Sequence, residues 1–511
     1  MVKFRGFDCI SGDRWLGMLE GLSLSNFKGF GATESMEFKP VTILCGTNSC
    51  GKSSVLQSLL LFKQTIESQN PKQSILLNGR FVRLGAFRNI IFGKDDTKKV
   101  SFEVRYSFNR SDLDESSNRG LMPSRFLFEY LGIKSKSIFL TYAVTVGVSQ
   151  AKDAGPVKSA QLESAEFRLE SHSGRNAKTV VTVERAEGDD SFNVTWKGLP
   201  SIFGDRKRED VNGEATVHLE FVNLLPSIVR FPESNPKQLR DVYYFLHTIR
   251  DVLQGMYGAI TYLGPLREEP SRRYIYENEV LEIGNKGENA AYLYQTEQSR
   301  RIYDHHFIDN RGEAYELKRG MTLGGAVKYW MDIMGIYDFQ PSFFNDIISL
   351  ELESGNDSGV RVSIADVGFG VSQIFPIILA GLRMPKNNTL LLEQPEIHLH
   401  PRLQMQMADF FISLARSSKS VVVETHSDHI INRLVRRIVE DKTGELKKLI
   451  NIYFVEPTGE GSQFKLVEVD EAHGIINWPG GFFDQASSEH RKIIRAGIEK
   501  RKEAVKTRSI E

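Results

Sequence analysis

The sequence feature that most constrains the fold is a P-loop near the N-terminus. Residues 46–53 read GTNSCGKS, which is two glycines separated by four residues and followed by Lys and Ser. The apolar run at residues 41–45 predicts a buried strand before this loop, and the apolar spacing from Val55 to Phe62 predicts a helix after it. Because a loop between a strand and a helix start offers its amides to phosphate groups, the sequence predicts a nucleotide site. The alternative is a Gly-rich turn before a helix with an exposed lysine.

Each position of this loop has a chemical role in the prediction. Gly46 and Gly51 permit backbone turns in which a Cβ atom would clash. Lys52 is expected to reach the β- and γ-phosphates of ATP, and the Ser53 hydroxyl to ligate Mg²⁺. ATP and Mg²⁺ are therefore the predicted cofactors. The predicted cofactor-binding residues in the loop are Gly46, Thr47, Asn48, Ser49, Cys50, Gly51, Lys52, Ser53 and Ser54.

Composition limits the partners and the cellular location. At 511 residues, the chain is expected to form two or three lobes. It has 65 Lys and Arg residues and 65 Asp and Glu residues, so any nucleic-acid contact must come from a local basic patch. Cys9, Cys45 and Cys50 lack the spacing of metal ligands and are typical of a reducing cytoplasm. We find no apolar stretch of membrane-spanning or signal-peptide length, so we expect a cytoplasmic protein that makes no membrane contact.

Two strands in the second half of the chain end in candidate catalytic side chains. The buried strand at residues 388–393 feeds Glu393, in the form of a Walker B acid that holds Mg²⁺ through water. An apolar strand ending in Glu is common by itself, and it is the P-loop upstream that favours this interpretation. The strand at residues 420–424 is followed by His426, which is predicted to sense the γ-phosphate and orient the attacking water. The alternative for His426 is an ordinary histidine at the edge of the core.

Changes in residue pattern along the chain divide it into five predicted ranges. Short β-rich runs with polar loops favour an antiparallel sheet lobe in the second range, and three helical segments, Leu239–Gly255, Glu288–Tyr303 and Met321–Met334, favour a helical lobe in the third. The ranges are 1–95 (an N-terminal part with the P-loop), 96–235 (the inserted β-rich lobe), 236–350 (the helical lobe), 351–485 (a C-terminal part with Glu393 and His426) and 486–511 (a basic tail). Arg267, Arg272 and Arg273 follow a Gly-Pro turn and fit either a phosphate or DNA contact or a solvated loop.

Four motifs occur in order and together carry a family resemblance. They are GTNSCGKS at 46–53, GFGVSQ at 368–373, LLLEQPEIHLHP at 390–401 and ETHSDH at 424–429. In this combination, the chain resembles ABC-type ATPases of the branch that includes SMC proteins, RecF-like repair proteins and the OLD-type ATPases of bacterial defence systems. The resemblance implies an α/β fold: an ABC ATPase head with a mixed or parallel sheet around the P-loop, plus the β-rich and helical lobes.

The resemblance also implies roles for individual residues. Lys28 stands where relatives carry a basic residue near the nucleotide. The signature residues Gly370, Ser372 and Gln373 would cap the γ-phosphate held by a second subunit, so that ATP joins two heads. Glu393 would be the Walker B acid and a metal ligand with Ser53, and His426 the switch histidine. The loop at His400 and Pro401 would meet the opposite subunit.

The chain departs from the family pattern at important positions. Gln394 stands where the catalytic glutamate is expected, and an amide cannot accept a proton as a carboxylate does. Either Glu396 or another acid substitutes, or hydrolysis is slow and ATP acts mainly as a clamp. The predicted catalytic residues are Glu393, Gln394, Glu396 and His426. The signature also differs from the transporter sequence LSGGQ. No acid cluster suited to two metals follows His426, so nuclease activity would have to come from a partner chain.

These inferences lead to one expected function and two alternatives. We expect an ATPase that forms a homodimer or higher homo-oligomer around ATP and gates a partner effector or nuclease in anti-phage defence, with DNA as a further candidate ligand. The first alternative is a RecF-like accessory ATPase of DNA repair or replication. The second is a nucleotide-gated adaptor with little hydrolysis, which Gln394 favours.

Overall fold

The structure is a computed structural model of the chain. Cys9 lies outside the part of the chain that the structure describes. That part comprises residues 17–31, 35–68, 74–110, 127–128, 136–148, 160–171, 178–186, 191–200, 210–230, 237–275, 282–353, 359–477 and 485–508.

The elements are numbered in chain order. The strands are β1 (Gly17–Ser25), β2 (Met36–Glu37), β3 (Val41–Gly46), β4 (Val100–Asn109), β5 (Ser137–Val148), β6 (Ala160–Ser171), β7 (Lys178–Arg185), β8 (Phe192–Pro200), β9 (Asp210–Val222), β10 (Leu225–Arg230), β11 (Ile260–Leu263), β12 (Tyr274–Ile275), β13 (His305–Ile308), β14 (Tyr315–Lys318), β15 (Gln340–Phe344), β16 (Ile347–Glu353), β17 (Arg361–Ser363), β18 (Thr389–Glu393), β19 (Ser420–Glu424), β20 (Ile450–Thr458), β21 (Gly461–Leu466), β22 (Val469–Asp470) and β23 (Gly474–Ile475). The helices are α1 (Lys52–Ile66), α2 (Lys237–Gly258), α3 (Ala290–Glu297), α4 (Leu323–Ile333), α5 (Gly370–Arg383), α6 (Pro401–Arg416), α7 (Asp428–Glu440), α8 (Glu445–Leu449) and α9 (Gln485–Arg508).

A six-stranded sheet carries the P-loop. Its order is β11-β18-β19-β3-β20-β21, with the first five strands parallel and β21 antiparallel beside β20. Every residue of β3 is buried, which explains why its sequence is an unbroken apolar run. The carboxyl ends of β3, β18 and β19 meet at one edge, where open α/β sheets bind ligands. The predicted mixed sheet around the P-loop is confirmed.

A nine-stranded antiparallel sheet forms the β-rich part of the molecule. Its order is β10-β9-β8-β7-β6-β5-β4-β1-β2. The predicted antiparallel sheet is confirmed, but it also includes β1 and β2 from the N-terminal segment. The sheet therefore crosses the boundary predicted between residues 95 and 96, because β1 pairs along most of its length with β4.

Two hydrophobic clusters cover opposite faces of the six-stranded sheet. Leu44 of β3 belongs to the cluster that contains α1 and the antiparallel sheet. Its neighbours Ile43 and Cys45 belong to the cluster that contains α5 and α6. This alternation follows from the period of two in a strand, and it holds β3 rigidly between two layers.

The middle of the chain is helical in the predicted places but also contains strands. Helices α2 and α4 confirm two of the three predicted helical segments, whereas α3 confirms the second segment only as far as Glu297, because Arg301 already pairs with Thr322 in a β-bridge. The same region holds the hairpin β13–β14 and a small sheet in the order β12-β16-β15. Of the α9 side chains that the structure describes, all are exposed. Among the described residues, no helix combines the length and apolar character that a membrane span needs.

Candidate nucleotide-binding site

The P-loop backbone adopts turns that need glycine. Gly46 has φ +147° and Gly51 has φ +104°, both in the region that side chains disfavour. A Cβ atom on Gly46 would lie 2.3 Å from the carbonyl oxygen of Val455 on β20. The close approach of β3 to β20 therefore fixes glycine at this position, as the sequence predicted.

Lys52 lies inside the loop that it follows. Its side chain is 3% exposed, and Nζ donates to the carbonyl oxygens of Gly46 at 3.1 Å and Thr47 at 2.6 Å. It also lies 3.7 Å from the Sγ atom of Cys50. The ammonium group therefore lies inside the loop, where it would contact an anion that the loop binds. Burial raises the pKa of the nearby Cys45 thiol to about 12, which suits a packing residue.

Ser53 contacts an acid that the sequence analysis did not single out. Its Oγ donates to Oε1 of Glu424, at the end of β19, over 2.8 Å. Glu424 is 4% exposed, and its Oε2 atom has no hydrogen-bond partner among the described residues. Burial raises the pKa of Glu424, against the hydrogen bond from Ser53 and the charge of Lys52. A cation at this position would stabilise the ionised carboxylate.

Glu393 lies one strand further from the P-loop strand. It ends β18, is the register partner of Glu424, and its Oε1 accepts a hydrogen bond from Tyr262 Oη at 3.1 Å. Burial, reinforced by the charge of Glu424, raises the pKa of Glu393 to about 7, although Tyr262, Arg267 and Lys28 lower it in part. The predicted Walker B acid therefore belongs to the site, but the hydroxyl of Ser53 donates to Glu424 instead.

Arg267 stabilises the end of β18 through hydrogen bonds to its backbone. Its guanidinium donates from Nη2 to the carbonyl of Glu393 at 2.8 Å and from Nη1 to that of Gln394 at 3.1 Å. The side chain is 4% exposed, so the structure gives it a buried role and not the phosphate or DNA contact considered above. The exposed Arg272 instead pairs with Asp366 at 2.5 Å.

Gln394 adopts an unusual backbone conformation at the turn after β18. Its φ is +45°, and its amide donates to the carbonyl of Glu424 at 2.7 Å. The residue is half-buried, and its backbone is hydrogen-bonded to Glu424 at the end of β19 and to the side chain of Arg267. Gln394 directly follows Glu393, the last residue of β18.

Glu396 positions the turn after β19. Its Oε2 accepts from Thr425 Oγ1 and its Oε1 from the backbone amide of His426, both at 2.7 Å. Burial raises the pKa of Glu396, and these two bonds oppose that shift. Because both oxygens are engaged, the carboxylate orients the backbone on which His426 stands.

His426 is half-buried next to the P-loop lysine. Burial, together with the charge of Lys52, lowers the pKa of the imidazole. A lowered pKa favours the neutral imidazole, in which one ring nitrogen can accept a proton or a hydrogen bond. This state suits a residue that senses a phosphate or orients a water molecule.

Lys28 approaches the same edge from the antiparallel sheet. It follows β1 with φ +53°, and its Nζ contacts Oε1 of Gln57 on α1. Burial lowers the pKa of Lys28, whereas the charge of Glu393 raises it. The structure therefore brings Lys28 to the acidic side of the site. Gln57 was missed, and its only sequence signal is its place in the helix after the P-loop.

The signature residues form the start of α5. Ser372 is buried and its Oγ donates to the carbonyl of Phe369 at 2.7 Å, while Gln373 is also buried. Phe369 is 50% exposed, and its ring centroid lies 5.7 Å from that of His398. A Cβ on Gly370 would touch the carbonyl of His398 at 3.4 Å. The structure therefore groups the signature residues with the loop that leads into α6.

The acids and hydroxyls at the sheet edge fit a magnesium ion. Among the described residues, no group of three or more His, Cys, Asp and Glu side chains is arranged as a metal cage. Mg²⁺ in nucleotide sites needs no such cage, because one or two protein ligands, water and phosphate oxygens complete its coordination. Ser53, with Glu424 and its unpartnered Oε2, supplies the required oxygen atoms.

Comparison with known families gives two matches. Residues 18–184 and 264–431, more than half of the chain, match the family described as AAA ATPase domain. Residues 447–493 match a family described as protein of unknown function (DUF3696). No curated protein matches the sequence.

Solved structures similar to this chain include three SMC heads. An SMC head bound to the C-winged helix domain of ScpA is 11% identical, with 89% of this chain and 99% of that chain covered and a TM-score of 0.38. The SMC head domain from Thermotoga maritima is 12% identical, with 88% and 100% covered and a TM-score of 0.34. The Smc head with an extended coiled coil, bound to the C-terminal domain of ScpA derived from Pyrococcus furiosus, is 10% identical, with 89% and 98% covered and a TM-score of 0.37.

Proposed function

The chain belongs to the AAA ATPase domain family, and we propose that it binds ATP with Mg²⁺ at the edge described above, hydrolyses it, and joins a second copy of itself while ATP is bound. One observation carries the proposal. Segments far apart in sequence place Lys52, Ser53, Glu393, Glu424 and His426 at the carboxyl ends of three adjacent parallel strands.

Each residue has a task in this proposal. Lys52 neutralises phosphate charge from within the loop, and the amides at the start of α1 donate to phosphate oxygens. Ser53 holds the cation, which when bound offsets the charge of the β- and γ-phosphates. His426, neutral beside Lys52, accepts a hydrogen bond from the attacking water or contacts the γ-phosphate. Glu396 keeps His426 in place through its backbone amide.

Slow turnover follows from the side chain at position 394. Gln394 orients water by hydrogen bonding but cannot accept its proton. Bound ATP would then persist and serve mainly to hold the assembly closed. This feature also supports the second candidate, a nucleotide-gated adaptor with little hydrolysis.

The surface at the start of α5 supports assembly around ATP. Phe369 is half exposed, and its ring packs against that of His398 beside the signature residues. In the proposed dimer, this surface faces the P-loop of the other copy, with the exposed Phe369 at the contact and the buried Ser372 and Gln373 directly behind it. Gating of a partner effector or nuclease in anti-phage defence, with DNA as a candidate ligand, is the physiological part of the proposal and rests on the resemblance of the motifs.

The test measures mass and nucleotide binding together. Light scattering after gel filtration should show a monomer without nucleotide and a dimer with ATP and Mg²⁺. Lys52→Ala should bind no ATP and stay monomeric, whereas Ser372→Arg should bind a fluorescent ATP analogue normally and still stay monomeric. Glu316→Gln, an exposed change on β14, is the matched control and should dimerise.

Two results would count against the proposal. A wild-type chain that remains monomeric in saturating ATP would refute assembly around the nucleotide, as would a Ser372→Arg variant that dimerises normally. Phosphate release separates the two candidates. Turnover that Lys52→Ala abolishes identifies an ATPase, and ATP binding without measurable turnover identifies the adaptor.

A further inference from the structure

We propose that Glu424 is the carboxylate that holds Mg²⁺ together with Ser53. Glu393, at the Walker B position, contributes less to Mg²⁺ binding. This inference rests on the proposed function, because it assigns the metal-holding acid of the same site.

The first argument is the position of β19 in the sheet. It lies between β18 and β3, so Glu424 is on the strand that pairs directly with the P-loop strand. Neighbouring strands are about 4.8 Å apart, so Glu393 starts one such spacing further away. Glu424 is therefore the nearer of the two acids to Ser53 at the start of α1.

The second argument is the use of the Ser53 hydroxyl. A hydroxyl has one proton to donate and two lone pairs. Ser53 gives its proton to Oε1 of Glu424 at 2.8 Å, which leaves its lone pairs for a cation. An acceptor on the far side of a ligand orients it and makes its oxygen a better donor of electrons to the metal.

The third argument is the unpartnered oxygen. Glu424 is 4% exposed, and its Oε2 has no hydrogen-bond partner among the described residues. A buried carboxylate oxygen without a partner is costly, so such an atom indicates a ligand that the polypeptide does not supply. A cation at Ser53, or a water molecule on that cation, supplies the missing contact.

The neighbouring acids Glu396 and Glu393 already accept hydrogen bonds from other groups, Glu396 through both of its oxygens and Glu393 through one. Both oxygens of Glu396 accept hydrogen bonds from the turn after β19. Oε1 of Glu393 accepts from Tyr262, and Lys28 provides a positive charge on its side. Glu424 therefore combines direct contact to Ser53 with an oxygen left for the metal.

The experiment titrates the metal against nucleotide binding, so that it does not depend on turnover. A fluorescent ATP analogue is bound to the purified chain in EDTA, and Mg²⁺ is then added until the signal saturates. In parallel, the spectrum of Mn²⁺ is recorded by electron paramagnetic resonance with and without the nucleotide. The variants are Glu424→Gln, Glu393→Gln and the control Glu316→Gln, with circular dichroism to check folding.

The proposal predicts an asymmetry between the two acids. Glu424→Gln should raise the half-saturating Mg²⁺ concentration at least about tenfold and should remove most of the bound Mn²⁺ signal, while metal-free nucleotide binding persists. Glu393→Gln should raise it less than about threefold, and Glu316→Gln should leave it unchanged. If Glu424→Gln does not fold, Glu424→Asp and Glu393→Asp provide the same comparison, because each shortens one carboxylate and keeps its charge.

The outcomes separate this inference from the proposed function. A larger loss in Glu393→Gln than in Glu424→Gln would overturn the assignment and restore the usual Walker B role. Normal metal binding in both variants would also overturn it. A wild-type chain that binds no nucleotide would instead refute the proposed function.

Discussion

Replacing Arg267 tests how much its hydrogen bonds to the end of β18 contribute to stability. Arg267→Met keeps the unbranched stem of the side chain but removes the guanidinium group and both of its donors to the carbonyls of Glu393 and Gln394. Hydrogen bonds from a charged donor contribute about 1.5–3 kcal/mol each. The carbonyl of Gln394 keeps a second donor, the amide of Ile397 at 3.3 Å, and the variant no longer buries a guanidinium. We therefore expect the free energy of unfolding to fall by about 2 kcal/mol.

The assay is equilibrium urea unfolding followed by tryptophan fluorescence, with Arg272→Met as the matched control from the same loop. Arg272 is 73% exposed and pairs with Asp366, so its loss should cost less than about 1 kcal/mol. Suppose instead that Arg267→Met unfolds at the same urea concentration as the wild type but loses ATP or DNA binding. The guanidinium would then contact a ligand, and the structural role of Arg267 as a buried donor to the end of β18 would be refuted.

Three further changes probe the loop, the missing acid and a buried lysine. Gln394→Glu should raise ATP turnover at least about tenfold in a phosphate-release assay, because a carboxylate accepts the proton of water, and unchanged turnover would locate the water-polarising group elsewhere. Gly46→Ala should lower the free energy of unfolding by at least about 2 kcal/mol, since its Cβ would press on the carbonyl of Val455, and wild-type stability in urea would show that the loop relaxes. Burial lowers the pKa of Lys419 to about 7, while its unfolded value is about 10.4, so the unfolded chain binds more protons between these values. The stability of the wild type relative to Lys419→Met should therefore rise from about pH 7 to about pH 10, and parallel stability curves would show that Lys419 stays charged when folded.

Local sequence was sufficient for the parts of the site that depend on one segment. The P-loop lies between strand β3 and helix α1 because glycine spacing and apolar periodicity are properties of neighbouring residues. The three helices of the middle region were predictable for the same reason.

The parts that were missed depend on which strands lie side by side. Glu424 gains its importance because β19 separates β18 from β3, and the order of parallel strands is not written in any single segment. The available signal was that two successive buried strands both end in glutamate. Arg267 was ambiguous because its burial depends on the end of β18, 126 residues further along the chain. The union of β1 with β4 is likewise a long-range pairing.

The aromatic packing around α1 has a practical consequence for anyone who wishes to shorten this protein. Phe62 meets Phe102 at 5.1 Å and Tyr142 at 6.2 Å between ring centroids, both from the antiparallel sheet. Excising that sheet to obtain a minimal catalytic core would leave the apolar side of α1 facing water. Such a truncation would need new polar residues on α1 before it behaved as an independent protein.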